Sequence, residues 1–146
     1  MMADLIRLLR EGGYSCVLQK DGEVRTFHRR GVIDLYTLLV EDPGYMRDAL
    51  LADKVIGKGA AAVVATAGVK EVYAEVISLP AVNLLRQAGI SVSWGERVSA
   101  IRNRAGDGWC PLETACREAS TAEEAMPVVD GFVKRMFPDL AIKVNV

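Results

Sequence analysis

A chain of 146 residues fits one domain of ordinary size and is long enough to bury a core. Apolar residues make up 51% and aromatics only 6%, so core volume must come from Ala, Val, Leu and Ile, which suits helices lying on a sheet. A net charge of −1 supplies no field for nucleic acid or anionic lipid, and no apolar run nears the roughly 20 residues of a membrane helix.

The first segment, residues 3–11, places Leu5, Ile6, Leu8 and Leu9 at helical spacing and stops at Gly12-Gly13. Its charges at Asp4, Arg7, Arg10 and Glu11 exclude the uncharged core of a secretory signal. Residues 14–18 form an apolar strand, Asp21-Gly22 suits a tight turn, and residues 24–28 return as the second strand of a hairpin. Gly31 opens a helix over 32–41 that ends at Pro43-Gly44. A short strand is expected over 49–52, with Asp53 as the cap of a helix running through Ala60, Val63, Val64 and Ala67 to Gly68.

Residues 72–77 read as a strand, and Ser78 as the N-cap of a helix to Ala88 that carries Pro80 in its first turn. Ile90, Val92 and Trp94 alternate as a strand with one buried face. A polar loop over 102–108 follows, and Cys110-Pro111-Leu112-Glu113 opens a short helix. Thr121 and Glu124 have capping-box spacing, although Pro127 argues for a later helix start. The order predicts an antiparallel hairpin joined to parallel strands in one mixed sheet. One domain over 1–146 is expected, with 139–146 as a loosely held tail.

Three motifs carry a resemblance: Asp53-Lys54-Val55-Ile56-Gly57-Lys58-Gly59-Ala60-Ala61-Ala62, Val76-Ile77-Ser78 and Cys110-Pro111-Leu112-Glu113. Together they resemble an uncharacterised domain-of-unknown-function family, family 1893, placed in the cytidine deaminase-like superfamily. The Asp-Lys-Val-x-Gly-Lys string is the most specific part, and Gly59 departs from the Ala expected there. The resemblance spans about residues 5–118 and leaves 120–146 as a C-terminal extension outside it. It implies a cytidine deaminase-like, three-layer α/β fold: a mixed sheet, with an antiparallel N-terminal hairpin plus parallel strands, flanked by helices.

In the deaminases two helix starts carry the chemistry, one with His or Cys two residues before Glu and one with Pro-Cys-x-x-Cys. By element order these fall near 30–35 and 57–62. Arg29-Arg30-Gly31-Val32-Ile33-Asp34 and Gly57-Lys58-Gly59-Ala60-Ala61 contain neither. Cys110 and Cys116 lack a third ligand nearby in sequence, and His28 has no partner at ligand spacing. Zinc-dependent deamination is therefore rejected, and no metal or other cofactor is expected.

The leading candidate site is the Gly57-Lys58-Gly59 helix start, where orphan N–H groups and a mobile ammonium suit an anion. Close helix–sheet packing explains the same glycines equally well. Asp53 and Lys54 stand just before that start, and Ser78 stands at a strand end where α/β sheets place ligand groups. Cys110 opens a helix, which favours thiolate, and Glu113 three residues on is placed to bond back toward that cap while opposing ionisation. A structural Cys-Pro helix start is the competing reading. His28-Arg29-Arg30 and Arg102-Asn103-Arg104 are small basic clusters that would strengthen a phosphate site only if one folds over Lys58.

Three roles follow. The first is a module binding a small anionic or nucleotide-like ligand through Asp53, Lys54, Gly57, Lys58, Gly59, Ser78, Cys110 and Glu113. The second is an enzyme of non-zinc chemistry using Cys110, Lys58 or Asp53. The third is an interaction scaffold presenting Trp94 and Trp109. A homo-oligomer is expected under each, with no membrane partner. The odd number of cysteines (Cys16, Cys110 and Cys116) points to a reducing cytoplasm rather than a disulfide framework.

Overall fold

The computed structural model describes residues 2–29, 32–103 and 105–138. The expected tail over 139–146 lies outside the described residues, as do Arg30, Gly31 and Arg104. The element order is α1 (Met2–Gly12), β1 (Cys16–Lys20), β2 (Glu23–Phe27), α2 (Ile33–Glu41), β3 (Leu50–Ile56), α3 (Lys58–Ala67), β4 (Glu71–Ser78), α4 (Leu79–Gln87), β5 (Ser91–Val98), α5 (Pro111–Ala115) and α6 (Ala122–Met136).

The five strands make one mixed sheet in the order β2-β1-β3-β4-β5. β1 pairs antiparallel with β2 and with β3, whereas β3, β4 and β5 run parallel. Asp21 and Gly22 both take positive φ, 51° and 82°, the geometry of the two-residue turn that a twisted hairpin favours. Between the parallel strands, α3 and α4 are the crossovers such pairing requires. The α/β class and mixed sheet read from the sequence are therefore those of the folded chain.

Strand side chains alternate between two unequal faces. Val17, Ala52 and Tyr73 meet Leu5 and Leu9 of α1 in a small apolar cluster. Cys16, Leu18, Leu51 and Val72 face the larger core, which α2, α3, α4 and α6 complete. Helix α3 is apolar almost all round: Ala60, Ala61, Ala62, Val63, Val64 and Ala67 are all buried. Such a helix belongs in the interior, between the sheet and an outer element. That outer element is α6, whose Ala125, Val129 and Val133 are buried. The Tyr36 hydroxyl of α2 donates to Asp130 Oδ1 of α6 at 2.6 Å, fixing the two helices together.

Two expectations need correction. β3 does not stop at Ala52 but continues to Ile56, because Val55 and Ile56 pair with Val76 and Ile77 of β4. Asp53 is therefore inside a strand, and Gly57 is the N-cap of α3. Helix α6 starts before Pro127: Thr121 accepts the Glu124 N–H at 3.1 Å while Glu124 Oε2 accepts the Ser120 N–H at 3.0 Å. That reciprocal cap holds the first turn despite the proline. Among the described residues no helix is long and apolar enough to cross a membrane.

Candidate functional site

The carboxyl ends of β3, β4 and β5 lie at one edge of the sheet, the edge where open α/β sheets form their crevices. The Glu113 side chain of α5 lies among them and is 6% exposed. Its Oε2 accepts the backbone N–H of Lys58, at the start of α3, and the Ser78 hydroxyl at 3.1 Å. Its Oε1 accepts the Ile101 N–H at 3.0 Å, just beyond β5. One carboxyl thus ties the ends of three parallel strands to a fourth segment. The positive end of α3 is met by an acidic group of the chain itself.

This arrangement explains the glycines. A Cβ on Gly57 would lie 2.7 Å from Glu113 Oε2, and one on Gly59 would lie 2.5 Å from Leu112 Cδ2. The bare backbone is what lets α5 approach the α3 start. Ser78 is fully buried and acts twice, accepting the Ala81 N–H at 3.2 Å as N-cap of α4 and donating to Glu113. Glu113 does not bond back toward its own helix cap; its partners come from the three strand ends.

Beside this knot is a cavity of about 230 Å³ walled by Lys58, Pro80, Ser99, Ala100, Trp109, Glu113, Thr114 and Arg117. An open groove of about 610 Å³ continues past Lys58 and Arg117 along Asn83, Leu84 and Gln87 of α4. The Lys58 ammonium donates to the Arg117 carbonyl at 3.2 Å, which holds its charge at the cavity wall. The Trp109 ring is 53% exposed, with the Arg102 guanidinium 5.0 Å from its centroid. The walls thus bring together Lys58 and Arg117, the hydroxyl residues Ser99 and Thr114, the Trp109 indole and the Glu113 carboxyl, and Arg117 Nε lies 3.6 Å from Oε1 of Glu118, which lines the groove.

The remaining expected residues are elsewhere. Cys110 is the N-cap of α5 without a side-chain bond, and it is not among the described residues walling the cavity. Cys116 is fully buried, and burial pushes its thiol up to about 11, with Lys58 opposing the shift and Glu113 and Cys110 adding to it. Lys54 is exposed on the opposite face of β3. Arg29 does not reach Lys58: its N–H and Nε both donate to Asp34 of α2.

Asp53, expected as a helix cap, is 8% exposed on the core face of β3, opposite Cys16 of β1. Burial raises its carboxyl from the ordinary 3.8 to about 7; bonds from Val55 and Lys54 N–H and the Cys16 thiol oppose the rise, and Asp34 adds to it. The folded state therefore binds the proton more tightly than the unfolded chain does. The stability this group contributes is complete below about pH 4 and is lost as pH rises toward 7. The melting temperature should accordingly fall between pH 5 and 7.5 more steeply in the wild type than in Asp53→Asn. Parallel pH profiles for the two proteins would remove Asp53 as the cause.

Of the residues singled out from the sequence, the structure brings Lys58, Ser78 and Glu113 together, and Ser99, Thr114 and Arg117, not singled out, line the same cavity. The one available signal for Arg117 was its i, i+4 spacing from Glu113. Nothing local links Ser99 to either.

A family model, TM1506, described as a domain of unknown function (DUF1893), matches residues 4–133. That match continues past residue 120 and through most of α6. No curated protein matches the chain. A crystal structure of a DUF1893 family protein, TM1506, from Thermotoga maritima superposes with a TM-score of 0.80 at 23% identity. The alignment covers 88% of this chain and 86% of that one, and the likeness is one of fold.

Proposed function

We propose a ligand-binding role for this chain, which belongs to the TM1506 family of domains of unknown function (DUF1893). The ligand is a small anionic, nucleotide-like molecule seated in the cavity beside the α3 start. The observation that carries this reading is the convergence of Lys58, Arg117 and the exposed Trp109 indole on one cavity at the strand ends. The anion meets the two cationic side chains rather than the α3 backbone, because Glu113 already takes the Lys58 N–H.

Binding is favoured over catalysis because the three candidate reactive groups do not share a site. Lys58 faces the cavity, Cys110 lies outside its walls, and Asp53 stands within β3 beside Cys16. The deaminase-like ancestry belongs to this proposal as well, supported by the two helix starts, α2 and α3, that follow β2 and β3. A cytoplasmic setting fits cysteines that are all free thiols. Self-association is part of the same reading, with Trp109 and Leu79 as exposed apolar residues beside the cavity and groove.

The test is a thermal-shift screen of nucleosides, nucleotides and inorganic phosphate on wild type, Arg117→Ala and Trp109→Ala. Arg117 is preferred to Lys58 because the Lys58 ammonium also supports the α5 end. A ligand at a hundred times its dissociation constant stabilises by about 2.7 kcal/mol, a rise of roughly 10 °C for a domain of this size. A phosphate-dependent rise, lost in Arg117→Ala and reduced in Trp109→Ala, is expected. No rise with any compound would remove the nucleotide-like ligand.

A further inference from the structure

The two edges of the sheet, β2 and β5, differ in character. β2 is five residues long and tied into a hairpin with β1, and so short a strand offers little to a partner. β5 is eight residues long, Ser91–Val98, and carries none of the lysines or prolines that commonly blunt an edge. Among the described residues it pairs with β4 alone. The Ser91 N–H donates inward to the Lys70 carbonyl at 3.4 Å, so by strand alternation Val92 and Trp94 turn their peptide groups outward.

Charge is divided along this edge. Two guanidiniums converge on the Trp94 ring: that of Arg86, in the last turn of α4, lies 5.5 Å from its centroid, and that of Arg97 lies 5.9 Å away. Neither forms an ion pair among the described residues, and neither does Glu96, which stands exposed two positions beyond Trp94. By strand alternation Glu96 shares a face with Val92 and Trp94. The edge thus holds an anion and two cations that the fold leaves apart. A surface carrying both halves of an ion pair is completed by a copy of itself.

We infer that β5 pairs antiparallel with β5 of a second copy, joining two five-stranded sheets into one across a twofold axis normal to them. This pairing rests on the self-association read above and gives it a surface. Such an axis sets each residue opposite one on its own face, and charge selects the register. Centring on Glu96 or on Arg97 sets like charges opposite each other. Centring on Gly95 sets Glu96 opposite the partner's Trp94, where the partner's Arg86 and Arg97 guanidiniums receive it. Val92 then faces Val98, Ser93 faces Arg97, and Gly95 meets its own copy with no side chain between them.

Sedimentation equilibrium on wild type, Glu96→Arg, Arg86→Glu and their double variant tests the pairing. Both side chains are exposed, and circular dichroism melting checks that each variant folds. Wild type should be a dimer. Each single reversal acts twice across the axis and should raise the dimer dissociation constant at least about tenfold. The double variant restores opposite charges and should regain most of that loss. Register is read separately in a Ser93→Cys/Arg97→Cys variant, whose two positions form a non-hydrogen-bonded pair across the axis. Their Cα atoms should stand about 4.5 Å apart, within disulfide reach. Oxidation should give a covalent dimer, mapped to these positions by mass spectrometry, in the double variant and in neither single one. A dimer that the reversals do not weaken and the cysteines do not link would overturn the β5 pairing and leave self-association to another face. A chain monomeric at every concentration would overturn both and leave the edge to a strand of another protein.

Discussion

Replacing Glu113 by alanine should lower the melting temperature by about 10–15 °C. The substitution removes one acceptor from three donors: the Lys58 N–H, the Ser78 hydroxyl and the Ile101 N–H. Each buried donor left without a partner costs about 1–3 kcal/mol. Water entering from the neighbouring cavity offsets part of that cost, so a total of about 3–5 kcal/mol is expected. For a chain of this length each kcal/mol corresponds to roughly 3–4 °C. Glu113→Gln keeps one carbonyl oxygen and should lose about half as much. Urea unfolding followed by circular dichroism measures both. A loss below about 1 kcal/mol for the alanine variant would mean that the three segments hold their positions without the carboxyl.

The second large effect is a coupling between Gly59 and Leu112. Alanine is better than glycine in a helix interior by about 1 kcal/mol, so propensity alone predicts that Gly59→Ala stabilises α3. Packing predicts the reverse, because the new methyl would stand 2.5 Å from both Cγ and Cδ2 of Leu112. Overpacking of this kind costs about 1–3 kcal/mol and should win. Leu112→Ala alone should cost about 2–4 kcal/mol, since the residue is 7% exposed and its loss leaves a void. In the double variant the added methyl enters that void. The combined loss should fall short of the sum by at least about 1 kcal/mol, and simple additivity would show that α5 does not press on the α3 start.

How much of this was readable in the sequence depends on how local each signal is. The Asp21-Gly22 turn, the Ser78 cap and the Cys110-Pro111 helix start are each set by adjacent residues, and all three stand where expected. The end of β3 was misread because Asp is rare inside a strand and common at a helix cap. The deciding partners, Val76 and Ile77, are 21 residues away in register and leave no mark on the local pattern. The Glu113 bond to Lys58 spans 55 residues, beyond any periodicity. The glycines at 57 and 59 advertised a close approach but not its author, which proved to be α5 of the same chain.

The Glu113 knot also bears on how a family alignment should be interpreted. Gly57, Ser78 and Glu113 constrain one another sterically and through hydrogen bonds, and Gly59 is constrained by Leu112 of the helix that carries Glu113, so a change at one demands changes at its partner. Selection for folding alone suffices to keep such a set invariant across relatives of any function. Among the described residues the Arg117 and Trp109 side chains pair only with surface charges, Arg117 with exposed Glu118 past the end of α5 and half-exposed Trp109 with the Arg102 guanidinium above it. Invariance at 57, 59, 78 and 113 would report the architecture. Invariance at 109 and 117 would report the ligand.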